Sequence, residues 1–525
     1  MSTGGQWIRP EGTRPLRRTP TATLPRLEPV GAAPDAARSA LPEPSAVRRA
    51  GLWTDWAPLA LVLVVQAVLS GRLIGTNTAF LDEGTYLYSG HQELAHLLHG
   101  HPVAAYQTFF SGAPVIYPVV VAVADHLGGL TAARLLSLAF MLSATVALHL
   151  ATRRVRDSLS AFFAAALFAA LGPTQFLGGF ATYDAMALAC LVWAGYFAVR
   201  AATGGGWGSL LVAALAMALA DCTKYASVLW TPVVLGVAVF AGTAGGSWRW
   251  ARWRRGFGLL VLWLIAVGVP AALAGSSYLK GFDTTTLQRQ AGHDAQSYVA
   301  ESAAKWIGAL LVLALAGVLV SWFATRRSAP AARSEFWLTL VLLLGGLLAP
   351  ANQIRIHTWL SLQKHVDFGA WFACIAAGIL LARTCRLLRA RNRTRVWTTG
   401  AIAAAAALAA AVVLPLGWVG ATQGTDMFDA WPNSTSFVAA LRPYVHRGPD
   451  QYLVEDYDVP AYYLRDVSDW QQWHDLEAVD YTVPATGRQL SGPRPSRPRS
   501  RPTRTGSWCS TSPRPRPPTS PCSPR

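Results

Sequence analysis

The stretch Pro114-Val115-Ile116-Tyr117-Pro118-Val119-Val120-Val121-Ala122-Val123-Ala124-Asp125-His126-Leu127 decides the fold. It is apolar enough to enter a bilayer, but its 14 residues fall short of the roughly 20 that a helix needs to cross hydrocarbon. Charge settles its orientation. If the stretch lies in the membrane plane, four arginine clusters share the side of the basic N-terminus: Arg153, Arg154 and Arg156; Arg249, Arg252, Arg254 and Arg255; Arg326 and Arg327; and Arg386 to Arg395. If it crosses, all of them move to the outer face, against the excess of Lys and Arg that cytoplasmic loops carry. The in-plane reading satisfies that rule in every loop.

Outward from this stretch the chain is a series of apolar runs. Of its 525 residues, 52% are hydrophobic and only 14% charged, with a mean hydropathy of +0.29. Runs of about 18 to 22 apolar residues exclude a soluble globular protein. Crossings are read at 57–74, 130–151, 159–177, 182–200, 207–221, 225–243, 257–275, 304–324, 335–352, 366–384 and 396–418. The fold class is therefore an all-α polytopic membrane protein of about 11 to 13 transmembrane helices, with membrane-plane helices in a first outer loop, 75–129. The topology places a multi-pass protein in the plasma membrane with its N-terminus in the cytosol and its C-terminus outside. Trp248, Trp250 and Trp253, interleaved with arginines, form an aromatic anchor at the inner interface. The net charge of +17 is accounted for by these clusters and the termini, so nucleic acid is not expected as a partner; the bilayer is. Residues 1–52 carry no early apolar core and are expected to be a disordered basic cytosolic tail rather than a signal peptide.

The costly polar residues gather on the outer side. The loop 75–129 has no Lys or Arg, yet carries Asp82, Glu83, His91, Glu93, His96, His99 and His101. His91, Leu94, Ala95 and Leu98 fall on neighbouring helical positions, so residues 86–100 are expected to form an amphipathic helix on the membrane surface. The histidines lack a carboxylate at ligand spacing and read as interfacial residues; no metal site is assigned, no cofactor is firmly implied and a divalent ion is left open. Basic residues are overwhelmingly arginine; the only lysines are Lys224, Lys280, Lys305 and Lys364, all at or near the outer face, against the topological bias. A lysine there needs a partner: either a salt bridge, such as Asp221 with Lys224, or an anionic ligand. The candidates for holding a phosphate are Lys224, Lys364 with His365 beside it, and Arg289 and Arg355; Lys280 adds to the same field. Asp184, just inside the outer end of a span, is costly unless paired or facing a cavity; it reads equally as a partner of Lys224 or a sugar-binding group. With it, Tyr183, Tyr86 and Tyr225 are candidate substrate contacts. Asp82 and Glu83 read either as a solvated acid pair or as catalytic carboxylates. A carboxylate that accepts a hydroxyl proton, facing cations that hold a phosphate leaving group, suffices to transfer a group from a lipid phosphate.

The order of these features resembles the GT-C fold glycosyltransferases that use polyprenyl-phosphate sugars, the superfamily of the protein O-mannosyltransferases and the aminoarabinose transferase of lipid A. The matching pieces are Leu81-Asp82-Glu83, Gly112-Ala113-Pro114-Val115-Ile116-Tyr117-Pro118, Ala132-Ala133-Arg134-Leu135-Leu136-Ser137, Arg153-Arg154, Ala181-Thr182-Tyr183-Asp184-Ala185, Thr223-Lys224-Tyr225 and Lys364-His365. The resemblance covers roughly 55 to 385, within a transferase domain expected over 53–420. It implies that Asp82 is the general base, that Glu83 positions acceptor or base, and that Lys224, with Lys364 and His365, holds the donor phosphate. The implied donor is a polyprenyl-phosphate-linked sugar, hexose or pentose, and the acceptor a lipid, polysaccharide or protein of the cell envelope, such as a cell wall polysaccharide. A lipid-linked saccharide flippase would instead spread polar residues through the membrane depth and show internal repeats; a catalytically inactive relative is the other alternative.

After the last span, residues 421–486 are polar, with a helix expected at Ser436–Val445, a strand at Gln451–Glu455 and a helix at Tyr462–Trp473, a small extracytoplasmic α/β domain placed to help select the acceptor. Residues 487–525 are rich in Arg, Pro and Ser, with almost no aliphatics, and are expected to be disordered. An out-of-phase reading of a GC-rich gene gives such a composition.

Overall fold

A computed structural model describes residues 44–108, 110–242, 248–288, 291–326, 330–391, 399–476, 480–482 and 489–491. The readings made of residues 1–43 and 492–525, and of Arg289, lie outside the described residues. By its contacts the chain divides into Met1–Thr54 and Asp55–Arg525; the first is described only from Pro44, as the start of one helix, and apart from that start everything below concerns the second.

Helix α1 spans Pro44–Gly71 and α2 Leu81–His99. Glu83 starts α2 by accepting the Phe80 N–H at 3.0 Å, and Gly100 ends it in the left-handed region at φ 69°. Helix α3, Tyr117–Val155, contains the deciding stretch. It passes as one 39-residue span by length and apolarity, but Gly128 (φ −160°, ψ 26°) and Gly129 (φ 63°, ψ −161°) break it. The piece before the break, 117–127, is roughly 16 Å long at 1.5 Å per residue, about half of what crossing requires. It packs against α2 so closely that a Cβ on Gly90 would lie 1.9 Å from the Pro118 carbonyl oxygen.

The bundle continues with α4 (Ser158–Ala170) and α5 (Gly172–Gly179), bent by 66° where Pro173 opens the second helix. Then come α6 (Tyr183–Arg200), α7 (Gly206–Thr223), α8 (Thr231–Phe240), α9 (Trp248–Ala274), α10 (Ser276–Phe282), α11 (Gln296–Ala303), α12 (Ala309–Thr325), α13 (Pro330–Arg355), α14 (Leu362–Arg391) and α15 (Thr399–Asp429). Among the described residues, each of the eleven apolar runs falls mainly on helix. Among the described residues, seven helices are long and apolar enough to cross a membrane, or eight if the bent pair α4 and α5 is one span. The 41-residue candidate Tyr183–Thr223 holds two of the expected spans, because Gly204 (φ 114°) and Gly206 (φ 64°) turn the chain between α6 and α7. Helix α14 is buried along nearly its whole apolar length among α3, α4, α12 and α13. Small residues allow this: Gly369 and Gly378 approach the backbones of α13 and α4.

Beyond α15 the chain forms a small α/β domain. Helix α16 (Thr435–Leu441) precedes β1 (Tyr452–Val454), α17 (Asp458–Tyr463) and β2 (Trp473–Asp475); β1 and β2 pair in parallel with Tyr452 opposite Trp473. Strands β3 (Asp480–Thr482) and β4 (Gln489–Ser491) pair antiparallel. The helix read at Tyr462–Trp473 is corrected: α17 begins earlier, where Asp456 accepts the Asp458 N–H at 3.0 Å, and the chain then turns through a short 3-10 segment, Trp470–Gln472, into β2.

Candidate active site

Three helix starts converge at one end of the bundle. Asp82 lies in the first turn of α2, Asp184 in the first turn of α6 and Lys364 in the first turn of α14. The acids suit the positive end of a helix, whereas Lys364 opposes it and requires anionic neighbours. It has two. Its ammonium is ion-paired with Asp82 Oδ2 and stands 4.0 Å from Asp184 Oδ2. Lys224, directly after α7, pairs with the other oxygen of Asp184, and Thr182 Oγ1 donates to Asp184 at 3.1 Å. The result is a row of alternating charges: Asp82, Lys364, Asp184, Lys224. Asp184 and Lys224 are buried; Asp82 is the open end, with 27% of its side chain exposed against 8% for Lys364.

Local structure fixes each member. Lys224 is held by a backbone clasp in which Ala113 N donates to Cys222 O at 2.8 Å and Tyr225 N to Ser111 O at 2.9 Å. The clasp is so close that a Cβ on Gly112 would lie 2.1 Å from the Thr223 carbonyl oxygen. The Lys224 ammonium is 4.8 Å from the centre of the Tyr183 ring and 5.8 Å from that of Phe368. Tyr183 in turn packs on Tyr86 at 4.5 Å. Asp82 is set by its neighbour: Glu83 is fully buried and accepts from Arg134 Nε at 2.8 Å, Arg134 Nη2 at 2.7 Å and Ala181 N at 2.8 Å, besides Phe80 N. Arg134 uses its remaining donors on the carbonyls of Ile74, Asn77 and Thr78, at 2.7, 2.9 and 3.1 Å.

The structure thus brings together Asp82, Glu83, Tyr86, Tyr183, Asp184, Lys224 and Lys364. Two sequence candidates stand apart, and a third sits at the edge of the row. His365 is close enough to Asp184 to act on its charge, while its Nδ1 is 2.7 Å from Gln353 Nε2 of α13. Arg355 is exposed and bonds Asn352 at 2.9 Å, and the Tyr225 ring packs on Phe282 at 5.5 Å. The salt bridge suggested between Asp221 and Lys224 is also corrected: Asp221 accepts from Trp263 Nε1 at 2.8 Å, and Lys224 goes to the better buried, doubly paired Asp184.

Two groups were missed. Arg134 had the same signal as the lysines, a cation near the end of an apolar run that leads into the charged row. Asp125 gave none: it is buried and receives His91 at 2.6 Å, the Tyr462 hydroxyl at 2.6 Å and Arg465 at 2.9 Å, joining α2, α3 and the C-terminal domain. That domain also brings Asp458 against Thr85, beside Asp82; burial, with Asp456 adding repulsion, pushes its carboxyl up to about 7.

Residues 114–271 match the dolichyl-phosphate-mannose-protein mannosyltransferase family. No curated protein matches the chain by sequence. Among solved structures, ArnT from Cupriavidus metallidurans bound to undecaprenyl phosphate superposes with a TM-score of 0.54 at 17% identity, over 78% of this chain and 85% of that one. The oligosaccharyltransferase of Archaeoglobus fulgidus in the apo form gives 0.51 at 12% identity, over 79% of this chain and 64% of that one. The archaeal oligosaccharyltransferase AglB from Archaeoglobus fulgidus, in complex with an inhibitory peptide and a dolichol-phosphate, gives 0.50 at 13% identity, over 80% of this chain and 65% of that one. The chain is a multi-pass membrane protein with the GT-C fold that it shares with ArnT and the archaeal oligosaccharyltransferase, and its segment 114–271 carries the sequence pattern of the mannosyltransferase family.

Proposed function

We propose that the chain is a membrane glycosyltransferase that moves a sugar from a polyprenyl-phosphate donor to an acceptor hydroxyl at the extracytoplasmic face of the plasma membrane. The observation that carries this reading is the row Asp82, Lys364, Asp184, Lys224, assembled from separate helices at one end of the bundle and open at Asp82. Burying ionised groups is expensive unless they pair, and an array with an exposed acid at one end suits chemistry better than support.

In the proposed reaction the acceptor oxygen attacks the anomeric carbon. The new C–O bond forms as the bond from that carbon to the phosphate oxygen breaks, and the bonding electrons leave with polyprenyl phosphate. The acceptor proton goes to Asp82. Lys224 and Lys364 stabilise the charge that grows on the leaving phosphate, the place where preorganised cations contribute most to rate. Asp184 holds both ammonium groups in register, and Tyr86 and Tyr183 supply a wall for the sugar. Glu83 acts through the backbone of α2 as a positioning residue. The fold it shares with proteins solved bound to undecaprenyl phosphate and dolichol-phosphate supports a lipid-phosphate donor.

The test is the purified chain in proteoliposomes, supplied with polyprenyl-phosphate sugars labelled in the sugar, one hexose or pentose at a time. Release of polyprenyl phosphate together with an alkali-stable labelled product supports the reading. Movement of intact donor across the bilayer without cleavage would replace it with transport.

A further inference from the structure

At the end of the bundle opposite the charged row, the chain forms an open pocket. Helix α7 has 18 residues and so separates the two by roughly 27 Å. The cavity has a volume of about 340 Å³ and lies where α7 meets α9, lined by Ala202, Gly204, Gly206, Trp207, Arg254 and Arg255 among others. Its floor is the turn between α6 and α7, where Gly204 and Gly206 hold φ values of 114° and 64°; residues with side chains rarely adopt these angles. The mouth is cationic. Arg255 is half-buried, its Nε donating to the Ala238 carbonyl at 3.4 Å, while Arg254 is exposed. Among the described residues neither arginine has a carboxylate partner.

The surroundings identify the ligand. Trp207 lines the pocket, and Trp250, Trp253 and Phe257 are exposed on the neighbouring face of the same end of α9, the Trp253 ring 6.4 Å from that of Phe240. Aromatic rings interleaved with arginines at the end of an apolar helix mark headgroup level. Below them Leu211 and Leu215 of α7 and Val261 and Leu264 of α9 are exposed along the same helix pair, giving a track for an acyl chain. We propose that this cavity binds an anionic phospholipid, its phosphate held by Arg254 and Arg255 and its chain lying along α7 and α9. Basic pockets between membrane helices recognise headgroups by this combination of charge and depth. The site is independent of the transferase reading.

The full chain, purified in detergent, is exchanged into mixed micelles of phosphatidylglycerol and phosphatidylcholine with identical acyl chains, and retained lipid is counted by native mass spectrometry. Phosphatidylglycerol is expected at least about fivefold over phosphatidylcholine for the first bound lipid, with the preference lost in Arg254→Glu and reduced in Arg255→Gln, which keeps a donor for Ala238. Equal retention of the two lipids, or undiminished preference in both variants, overturns the proposal. Inorganic phosphate is the second probe: its binding, with displacement of phosphatidylglycerol, reassigns the cavity to a free anion and overturns the lipid assignment. Wild-type unfolding temperatures for the variants ensure that loss of lipid is read from a folded protein.

Discussion

Asp82 and Glu83 are adjacent in sequence, yet their substitution is expected to give opposite phenotypes. In Glu83→Gln the shape survives, but the carboxylate that accepts four hydrogen bonds becomes an amide with one accepting oxygen. Arg134, fully buried, loses its only counterion among the described residues and keeps three carbonyls. Breaking a buried pair by neutralising one partner costs about 3–5 kcal/mol. The three carbonyl bonds place this case near the lower value, and the loss is in stability. In Asp82→Asn the pair with Lys364 is weakened, but Lys364 retains Asp184 at 4.0 Å and Asp82 is itself partly exposed, so stability falls by less than in Glu83→Gln. Transfer, in contrast, falls by roughly 10²–10⁴, the worth of a positioned general base. The assay pairs thermal unfolding in detergent with initial rates of sugar release from a polyprenyl-phosphate donor. An Asp82→Asn protein that keeps more than about a tenth of the wild-type rate removes Asp82 as the base. A Glu83→Gln protein that unfolds like wild type refutes the brace.

Lys224→Ala is expected to raise the KM for donor by at least tenfold with a smaller change for acceptor, because the proposed role of its ammonium is to hold the donor phosphate; an unchanged donor KM reassigns the phosphate site. Gly112→Ala forces the clasp around Lys224 apart, since its Cβ would lie 2.1 Å from the Thr223 oxygen; a loss of about 1–3 kcal/mol should appear as a lowered unfolding temperature. Asp458 is raised to about 7 by burial and by Asp456, so its contribution is complete below the unfolded value near 4 and is lost as pH rises through about 7. Proteolytic release of the C-terminal domain should accelerate across that interval in wild type and lose this dependence in Asp458→Asn. Asp125→Asn, which discharges the acid shared by His91, Tyr462 and Arg465, should make the same domain more sensitive to protease at every pH; unchanged cleavage would show that the contact does not hold it.

The fold was largely legible because a bilayer leaves the backbone few choices. Unpaired N–H and C=O groups are too costly in hydrocarbon, so an apolar run is expected to be helical, and the eleven runs lie mainly on helix where they are described, 159–177 with a 66° bend and 225–243 beginning as a 3-10 turn. The break at Gly128 and Gly129 was foreshadowed by the length of 114–127 alone. The charged row was legible for a different reason: arginine is used wherever charge suffices, so a lysine on the wrong side of the topology stands out, and Lys224 and Lys364 are both in the row. What stayed hidden depends on contacts between distant parts of the chain. Tyr462 reaches Asp125 across 337 residues, and no local pattern encodes that pairing. Nor does spacing tell that Lys364 pairs with Asp82 while His365, about 100° further round the same helix, bonds Gln353.

The same contacts explain why the segment 75–129 depends on the rest of the molecule. Residues 75–129 contain no Lys or Arg, so the loop cannot neutralise its own acids with a permanent charge. Each of three acids is met from a different direction: Asp82 by Lys364 of α14, Glu83 by Arg134 beyond the α3 break, and Asp125 by Arg465 of the C-terminal domain. Isolated, the loop would carry repelling carboxylates and an apolar face without a partner, and it would have no reason to hold one conformation. Docked, it is tied at three points on elements that do not otherwise share a segment of chain. The position of Asp82 is therefore a property of the assembled bundle and domain rather than of the loop sequence. This is also why the acid closest in sequence to the proposed base, Glu83, contributes most by being unavailable for chemistry.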